Sequence, residues 1–189
     1  MDKDFFSHSS AVISEDSKIG KNTKIWHFSH VFGSSILGDD CTIGQNVMIG
    51  PNVKIGNRCK IQNNVSLYKG IILEDNVFCG PSCVFTNVKT PRAFIDRSDE
   101  FTETFVRKGA SIGANSTIIC GVELGSYCMI GAGALVTKNI KPFSLVVGSP
   151  AKHIGWVSKT GDRLDDNLIC KRTGQLYEER NGLLYEMEK

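Results

Sequence analysis

The chain has 189 residues, of which 41% are hydrophobic and 22% are charged, and its formal net charge is +2. This length and balance predict one soluble domain with a small appendage, and they exclude a chain that is disordered throughout. The even charge gives no basis for a nucleic-acid or membrane surface, and no apolar run approaches the roughly eighteen residues of a membrane span.

The cysteines and the N-terminal sequence indicate the compartment. Seven cysteines are scattered without a CxxC pair, which argues against a disulfide framework and against a zinc site, so no metal is expected. The first ten residues lack the apolar stretch of a secretory signal. We therefore expect a reducing, cytoplasmic environment.

Apolar residues recur every six positions over most of the chain. The residue four positions after nearly all of them is small or β-branched. A second run is three residues out of phase with the first. The apolar positions are Ile13, Ile19, Ile25, Val31, Leu37, Ile43, Ile49, Ile55, Ile61, Leu67, Leu73, Cys79 and Phe85, and then Val106, Ile112, Ile118, Leu124, Ile130 and Val136.

A period of six fits no α-helix, whose core stripe repeats about every 3.6 residues. It fits a solenoid in which each hexad is one short strand and one turn, with the aliphatic and the small residue both inside. Glycine or asparagine is expected at the corner, where a positive φ costs it little. Three hexads close one coil, so these runs predict slightly more than six coils, a prism about 30 Å long. Cysteines at the inward positions act as small hydrophobes: Cys41, Cys59, Cys79, Cys83 and Cys128.

Residues 91–105 carry no hexad pattern. A long loop inside a compact repeat is usually functional or disordered. Its phenylalanines, Phe94, Phe101 and Phe105, favour an ordered loop that packs on something, such as a neighbouring subunit. The alternative is an insertion that the fold merely tolerates.

The period is lost again near the C-terminus. Residues 155–189 predict a small mixed tail with hairpin-like turns, one of them at Asn181-Gly182. The chain is therefore divided into a domain 1–154, with the inserted loop 91–105, and a tail 155–189.

The hexads, followed by Gly148, Pro150, Ala151 and Lys152 after the last coil, resemble the hexapeptide-repeat acyltransferases over about residues 10–154. The resemblance implies an all-β, left-handed parallel β-helix. The handedness does not follow from the period, because connections between parallel strands are normally right-handed. The γ-type carbonic anhydrases share this fold but need histidine zinc ligands on neighbouring coils. That alternative fits poorly with the histidines of this chain, which are His8, His27, His30 and His153.

The second run of hexads offers the two features that acetyl-coenzyme A requires. The pantetheine arm needs a narrow groove with small side chains, and the phosphates need cations. Tight coils and a solvated lysine surface are the alternative explanation, and the resemblance favours binding. The candidate cofactor residues are Gly131, Ala132, Gly133, Ala134, Lys138, Lys141 and Lys152.

Five segments resemble a narrower group of enzymes: IWHFSH at 25–30, GQNV at 44–47, KIQNNVSLY at 60–68, FTN at 85–87 and GWVS at 155–158. The group is the bacterial nucleotide-sugar 3-N-acetyltransferases that act on UDP-2-acetamido-3-amino-2,3-dideoxyglucuronic acid in O-antigen synthesis. A sister group, which acetylates dTDP-3-amino-3,6-dideoxyhexoses, shares the WHF and FTN sequences. The resemblance implies a homotrimer with its sites between subunits.

The resemblance also implies that Asn87 acts without a histidine base, and no histidine lies between His30 and His153. A sugar amine should titrate nearer to about 7.7–8.0 than to the about 10.4 of lysine, so a useful fraction is neutral near pH 7. Asn87 would accept a hydrogen bond from this amine and orient its lone pair. The alternative is that Asn87 is a corner residue with a positive φ.

Residues eighteen apart are expected to stack on successive coils, so His27, Gln45 and Asn63 should lie above one another. This polar column either binds a nucleotide or sugar hydroxyls, or is only a hydrogen-bonded surface ladder. The candidate acceptor residues are Lys60, Gln62, Asn63 and His27, with Arg92 of the loop as a partner for a carboxylate or diphosphate.

Three functional classes follow from these features: a nucleotide-sugar N-acetyltransferase, a serine or xenobiotic O-acetyltransferase, and a non-catalytic scaffold. An O-acetyltransferase must activate a hydroxyl of much higher pKa and should need a base at the acceptor site. The absence of a central histidine argues against it. A scaffold predicts no binding of coenzyme A and leaves the loop without a role.

Overall fold

The computed structural model describes residues 4–188, so residues 1–3 and 189 of the two predicted domains lie outside the described residues. The predicted parallel β-helix is confirmed. Short strands stack in three sheets, and consecutive strands along the chain occupy consecutive sheets. We call these sheets the first, second and third faces of the prism.

Each face is a stack of parallel strands that are mostly two residues long. The first face contains Phe6–Ser7, Lys24–Ile25, Thr42–Ile43, Lys60–Ile61, Phe78–Cys79, Ser111–Ile112, Met129–Ile130 and Ser144–Val147. The second contains Val12–Ile13, His30–Val31, Met48–Ile49, Ser66–Leu67, Val84–Phe85, Thr117–Ile118 and Leu135–Val136. The third contains Lys18–Ile19, Ile36–Leu37, Lys54–Ile55, Ile71–Leu73, Thr104–Val106 and Glu123–Leu124.

The prism is longer than predicted. Its first face has eight parallel strands, because Phe6–Ser7 and Ser144–Val147 add coils at either end of the hexad runs. Ser7 falls on the regular period but is not apolar, and the strand Ser144–Val147 is out of phase with the period, so the hexad count missed both. The strand Thr104–Val106 also includes Phe105, which therefore lies in the third face and not in the inserted loop.

The core is the triangular interior of the prism. The aliphatic residue of almost every hexad is buried, and so is the small residue four positions later. The five cysteines predicted to point inward are buried with free thiols. The Cys41 thiol donates to the Gly56 carbonyl oxygen at 3.1 Å, and burial raises the pKa of the Cys128 thiol to about 12. These thiols are packing groups of the interior.

The corner differs from the sequence-based expectation, because glycine and asparagine occupy different positions. Gly38, directly after the aliphatic residue, does not have a positive φ; a Cβ there would lie 2.5 Å from Asn57 Oδ1 and 2.7 Å from the Gly56 carbonyl carbon. The positive φ falls two residues later, as at Asn46 (55°) and Asn64 (62°). Glycine is thus needed directly after the aliphatic residue, because the next coil approaches closely there. Asparagine suits the position two residues later, because the backbone there is left-handed.

The tail caps the last coil. The strand Lys152–Trp156 pairs antiparallel with Ser144–Val147 on the first face. A hairpin of Tyr177–Arg180 and Leu183–Glu186 follows, and its turn is the predicted Asn181-Gly182, with φ values of 53° and 67°. Within residues 4–188 the only helical element is the 3₁₀ turn Ser98–Glu100 in the loop. A second small core holds the tail together: Trp156, Leu164, Cys170, Tyr177 and Leu184.

Gly38→Ala is expected to lower the free energy of unfolding by about 1–3 kcal/mol, the usual cost of overpacking. The added methyl group must displace the backbone of the neighbouring coil, which is itself held by strand pairing on both sides. Urea unfolding followed by circular dichroism measures the loss. Ser126→Ala at the same corner of a later coil is the control, and a Gly38→Ala loss as small as that of the control would contradict the close-approach account.

Candidate functional site

The turns between faces form three corners along the prism, and the predicted site residues fall on all of them. The first corner follows the first face, the second corner follows the second face, and the third corner follows the third face. The first corner carries 26–29, 44–47, 62–65 and 131–134; the second carries 86–103 and 137–139; the third includes 38–41 and 125–128. This assignment decides which candidates can meet within one chain.

Asn87 lies on the second corner, at the point where the chain leaves the prism. It is half-buried, and it does not have the positive φ that a corner asparagine would show. Its backbone carbonyl accepts a hydrogen bond from the Thr102 amide at 3.1 Å. Its side chain makes no hydrogen bond with the residues that the structure describes. Asn87 therefore offers a free carboxamide at the base of the loop.

The inserted loop is closed at its base by this Asn87–Thr102 hydrogen bond. Arg97 pairs with Glu100 through one guanidinium nitrogen at 2.7 and 2.8 Å and anchors the 3₁₀ turn. Phe94 at the tip is 84% exposed. Arg92 is also exposed, and its guanidinium bonds only the adjacent Pro91 carbonyl among the described groups. The loop is thus ordered at its base and presents an aromatic and a cationic group outward.

The polar column on the first corner is partly a hydrogen-bonded ladder. The Asn63 side-chain oxygen accepts from the Gln45 amide at 2.9 Å, so it stabilises the turn of the preceding coil. The His27 ring stacks on His8 with centroids 3.5 Å apart. Lys60 points outward from the first face, and half-buried Gln62 follows on the corner. Of the acceptor candidates, Lys60, Gln62 and His27 are those whose polar side-chain groups make no hydrogen bond within the described chain.

The acceptor candidates are not brought to Asn87 within one chain. His27, Gln62 and Asn63 lie on the first corner, and Asn87 and Arg92 lie on the second, with the whole second face between them. The histidines also lie away from Asn87. His30 stacks on Phe32 at 3.8 Å and sits three coils earlier, about 14 Å along the axis. No described histidine can act as its immediate partner.

The small-residue tract 131–134 lies on the first corner of a late coil. Ala132 and Gly133 are exposed. Gly131 is small because a Cβ there would lie 2.7 Å from Val147 Cγ1. Ala134 points into the core and is only 1% exposed, since it occupies the inward position of its hexad. The prediction that Ala134 lines a cofactor groove is therefore wrong, and Ala134 packs in the core instead.

The three candidate lysines do not form one cluster. Lys138 and Lys141 line a groove of about 350 Å³ between the last coil and the tail, together with His153 and Trp156. Lys141 Nζ donates to the Gly182 carbonyl at 2.8 Å and so holds the hairpin turn. Lys152 is exposed on the capping strand, outside this groove. Lys138 is the groove lysine whose ammonium makes neither a hydrogen bond nor an ion pair with a described residue.

Arg107 stabilises the point where the chain re-enters the prism after the loop. Its guanidinium pairs with Glu74 of the preceding coil and with Glu123 of the following coil, each at 2.9 Å. The hydrogen bonds from Arg107 lower the pKa of the Glu123 carboxyl. This bridge was not predicted from the sequence. Arg107 lies 33 residues after Glu74 and 16 residues before Glu123, and neither separation is the eighteen residues that relate neighbouring coils elsewhere.

No group of three or more metal-ligating side chains occurs in the described part of the chain. No helix within residues 4–188 combines the length and apolar character needed to cross a bilayer.

Comparison with known proteins agrees with this architecture. The model of the family described as bacterial transferase hexapeptide (six repeats) matches residues 16–51, 34–69 and 103–138. The chain is 38% identical over 185 residues, 96% of its length and 95% of the relative's, to dTDP-3-amino-3,6-dideoxy-alpha-D-galactopyranose 3-N-acetyltransferase of Aneurinibacillus thermoaerophilus.

Two solved structures share the fold at low identity. A galactoside acetyltransferase in complex with coenzyme A superposes with a TM-score of 0.58 and 21% identity, covering 70% of this chain and 68% of that one. A GDP-perosamine N-acetyltransferase from Caulobacter crescentus, solved with CoA and GDP-perosamine, gives 0.56 and 20%, covering 80% and 58%.

The stacked hexads and the relative matched along nearly the whole chain define a hexapeptide-repeat acyltransferase. The chain belongs to the bacterial hexapeptide-repeat transferase family, and it is an acetyltransferase.

Arg107→Gln is expected to lower the free energy of unfolding at pH 7 by about 1 kcal/mol, a modest loss because all three side chains are partly exposed. The lowered pKa of Glu123 stabilises the fold above the ordinary carboxyl pKa, and this contribution is lost as the pH falls through the lowered value. Unfolding curves of the variant and the parent should therefore converge once the pH lies below the lowered pKa of Glu123. Arg58→Gln, which removes a longer ion pair to Asp75 at 3.4 Å, is the control. An Arg107→Gln loss that persists unchanged at low pH would refute the bridge.

Proposed function

We propose that this chain transfers the acetyl group of acetyl-CoA to the C3 amine of a nucleotide-linked 3-amino sugar. The observation that carries the proposal is the free carboxamide of Asn87 at the base of the loop, in a chain whose described histidines all lie elsewhere. The relative that matches along nearly the whole chain is itself a 3-N-acetyltransferase of a dTDP-linked sugar.

The reaction needs orientation more than proton abstraction. The neutral amine attacks the thioester carbon, a C–N bond forms, and the C–S bond breaks as the tetrahedral intermediate collapses. The proton leaves the amine and ends on the departing thiolate of coenzyme A. Asn87 accepts a hydrogen bond from the amine through its side-chain oxygen and aims the lone pair at the carbonyl. A backbone N–H stabilises the oxyanion.

The substrate is one of two closely related sugars. The KIQNN sequence supports UDP-2-acetamido-3-amino-2,3-dideoxyglucuronic acid, and the relative supports a dTDP-3-amino-3,6-dideoxyhexose. The two differ at C6, where the first carries a carboxylate and the second a methyl group. Arg92, exposed on the loop, is the proposed partner of the carboxylate or of the diphosphate.

Acetyl-CoA is proposed to lie along the late coils. Gly131, Ala132 and Gly133 give a narrow tract for the pantetheine arm, and Lys138 supplies a cation for phosphate. Lys152 is retained as a second phosphate contact. Lys141 is already bonded to the hairpin turn, so its proposed role toward the cofactor is secondary.

The working unit is proposed to be a homotrimer joined through the second face. The outward residues of this face carry no Lys, Arg, Asp or Glu, whereas the first and third faces present several lysines outward. The set consists of Val12, His30, Met48, Ser66, Val84, Thr117 and Leu135. Packing through this face would bring the first corner of one subunit toward the second corner of its neighbour. The loop 91–105 then extends to the neighbour and helps to close the acceptor site.

Release of coenzyme A thiol tests the function directly. We expect kcat/KM at least about a hundredfold higher with UDP- or dTDP-linked 3-amino sugars than with serine, glucosamine or a galactoside, since differential transition-state binding sets this ratio. Mass spectrometry and NMR of the product should place the acetyl group on N3. Equal rates with serine or a galactoside would support the O-acetyltransferase alternative instead.

Asn87→Ala is expected to lower kcat about tenfold to a hundredfold, because it removes one orienting hydrogen bond and leaves the amine without a partner. Asn87→Gly should be as damaging, since the backbone of Asn87 does not have a positive φ and glycine gains nothing there. Thermal unfolding should change little in either variant. A fully active glycine variant would retire the catalytic role.

His27→Asn and His30→Asn are the matched controls, and each is expected to keep kcat within about threefold of the parent. A threefold change in rate corresponds to less than half of the 1.36 kcal/mol that changes a rate tenfold. A collapse of kcat in either, with folding and affinity intact, would restore a histidine base.

A further inference from the structure

Phe28 occupies a backbone position that is costly for an aromatic residue. Its φ is 56°, in the left-handed region, at the slot of the first corner that Asn46, Asn64 and Asn115 fill on later coils. A bulky residue at positive φ is rare, and such positions often mark functional sites. The backbone is held there by a hydrogen bond from the Phe28 amide to Ser10 Oγ at 3.0 Å.

The Phe28 side chain gains little from the protein in return. It is 64% exposed, and its ring contact is with His27 at 6.1 Å between centroids. Tyr127 has the same φ of 57° at another corner, but it stacks on Phe143 at 5.4 Å. Packing against Phe143 therefore offsets the cost of a positive φ at Tyr127, and no comparable packing offsets it at Phe28.

Phe28 belongs to a cluster of exposed rings on the first two coils. Trp26 is 39% exposed, lies 5.5 Å from Phe6, and is nearly parallel to His27, with 7° between the ring planes. His8 also stacks on His27 and is fixed by a hydrogen bond to Ser10 at 2.8 Å. The aromatic corner cluster consists of Phe6, His8, Trp26, His27 and Phe28.

Charge and polarity near the cluster suit a nucleotide. A concave region of about 590 Å³ beside Phe6 is lined by Lys21 and Lys24, together with Asp4. Further along the same side of the prism lie Lys60 and Gln62, two coils after Lys24. Cations and an amide thus lie on the same side as the rings, with Lys24 on the same coil as Trp26 and with Lys60 and Gln62 two coils later.

We infer that the aromatic corner cluster stacks the pyrimidine base of the nucleotide-sugar substrate, with Trp26 and Phe28 as its main contacts and Lys24 toward the diphosphate. The inference rests on the proposed function and assigns its nucleotide subsite. Base–aromatic stacking tolerates different bases, because every base has a π-face. The subsite therefore accepts uridine and thymidine nucleotides alike.

Isothermal titration with three probes tests the subsite: UDP, dTDP and inorganic pyrophosphate. The variants are Phe28→Asn and Trp26→Ala. Asparagine is the residue that this corner favours, so Phe28→Asn removes the ring and should leave thermal stability equal or higher. Arg58→Asn is the matched control, because Arg58 also has a positive φ of 55° and lies on the third corner.

We expect each variant to weaken UDP and dTDP binding about 5- to 150-fold, the range of one lost stacking contact, while the pyrophosphate Kd changes less than about twofold. The control should bind all three probes as the parent does, and the mass in solution should not change. Unaltered Kd values for UDP and dTDP, an equal loss for pyrophosphate, or a change of oligomeric mass that accounts for the loss would each overturn the subsite.

The two proposals can fail separately. Acetyl transfer to 3-amino sugars with nucleotide affinity independent of Trp26 and Phe28 removes the subsite and leaves the function. Ring-dependent binding of UDP without transfer to any 3-amino sugar removes the function and leaves a nucleotide site.

Discussion

The width of the prism interior is the constraint on which the rest of the structure depends. Each hexad places one aliphatic side chain and one small side chain inside, and neighbouring coils approach so closely that a Cβ on Gly38 would overlap the next coil. The interior therefore has no room for a pocket or a catalytic group. Charged side chains of the described residues are confined to the outward positions and corners, and the polar groups inside are small hydroxyls and thiols such as those of Ser29 and Cys41. Chemistry on this fold must occur on the surface, which explains why a single chain leaves its candidate residues far apart.

Much of the fold could be predicted because the physical cause of the pattern is local and repeated. The period of six follows directly from the strand-and-turn unit, and the Asn181-Gly182 hairpin follows from the backbone freedom of those two residues. The extra coil at Phe6–Ser7 was missed because Ser7, although on the period, is not apolar, and the strand Ser144–Val147 was missed because it is out of phase with the period. The steric role of glycine at the corner and the conformational role of asparagine two residues later could not be separated from the sequence. Their separation depends on how closely the backbones of neighbouring coils stack.

The candidate site was less predictable, because it depends on relations between coils and between subunits. Counting by eighteen correctly placed Asn63 above Gln45, and the structure adds that the Asn63 oxygen is bonded to the backbone. The same counting could have exposed Ala134 as an inward residue and Phe28 as an aromatic in an asparagine slot. It could not reveal that Lys141 is bonded to the tail, since that contact joins parts of the chain with no common period.

The antiparallel strand Lys152–Trp156 has a consequence for assembly along the prism axis. A stack of parallel strands ends in open backbone groups that can template another copy, and repeat proteins need a distinct last unit to remain discrete particles. This strand reverses direction on the final strand of the first face, and the small core behind it, built around Trp156 and Tyr177, covers the end. The C-terminal tail thus acts as a terminator against fibre growth at this end of the prism.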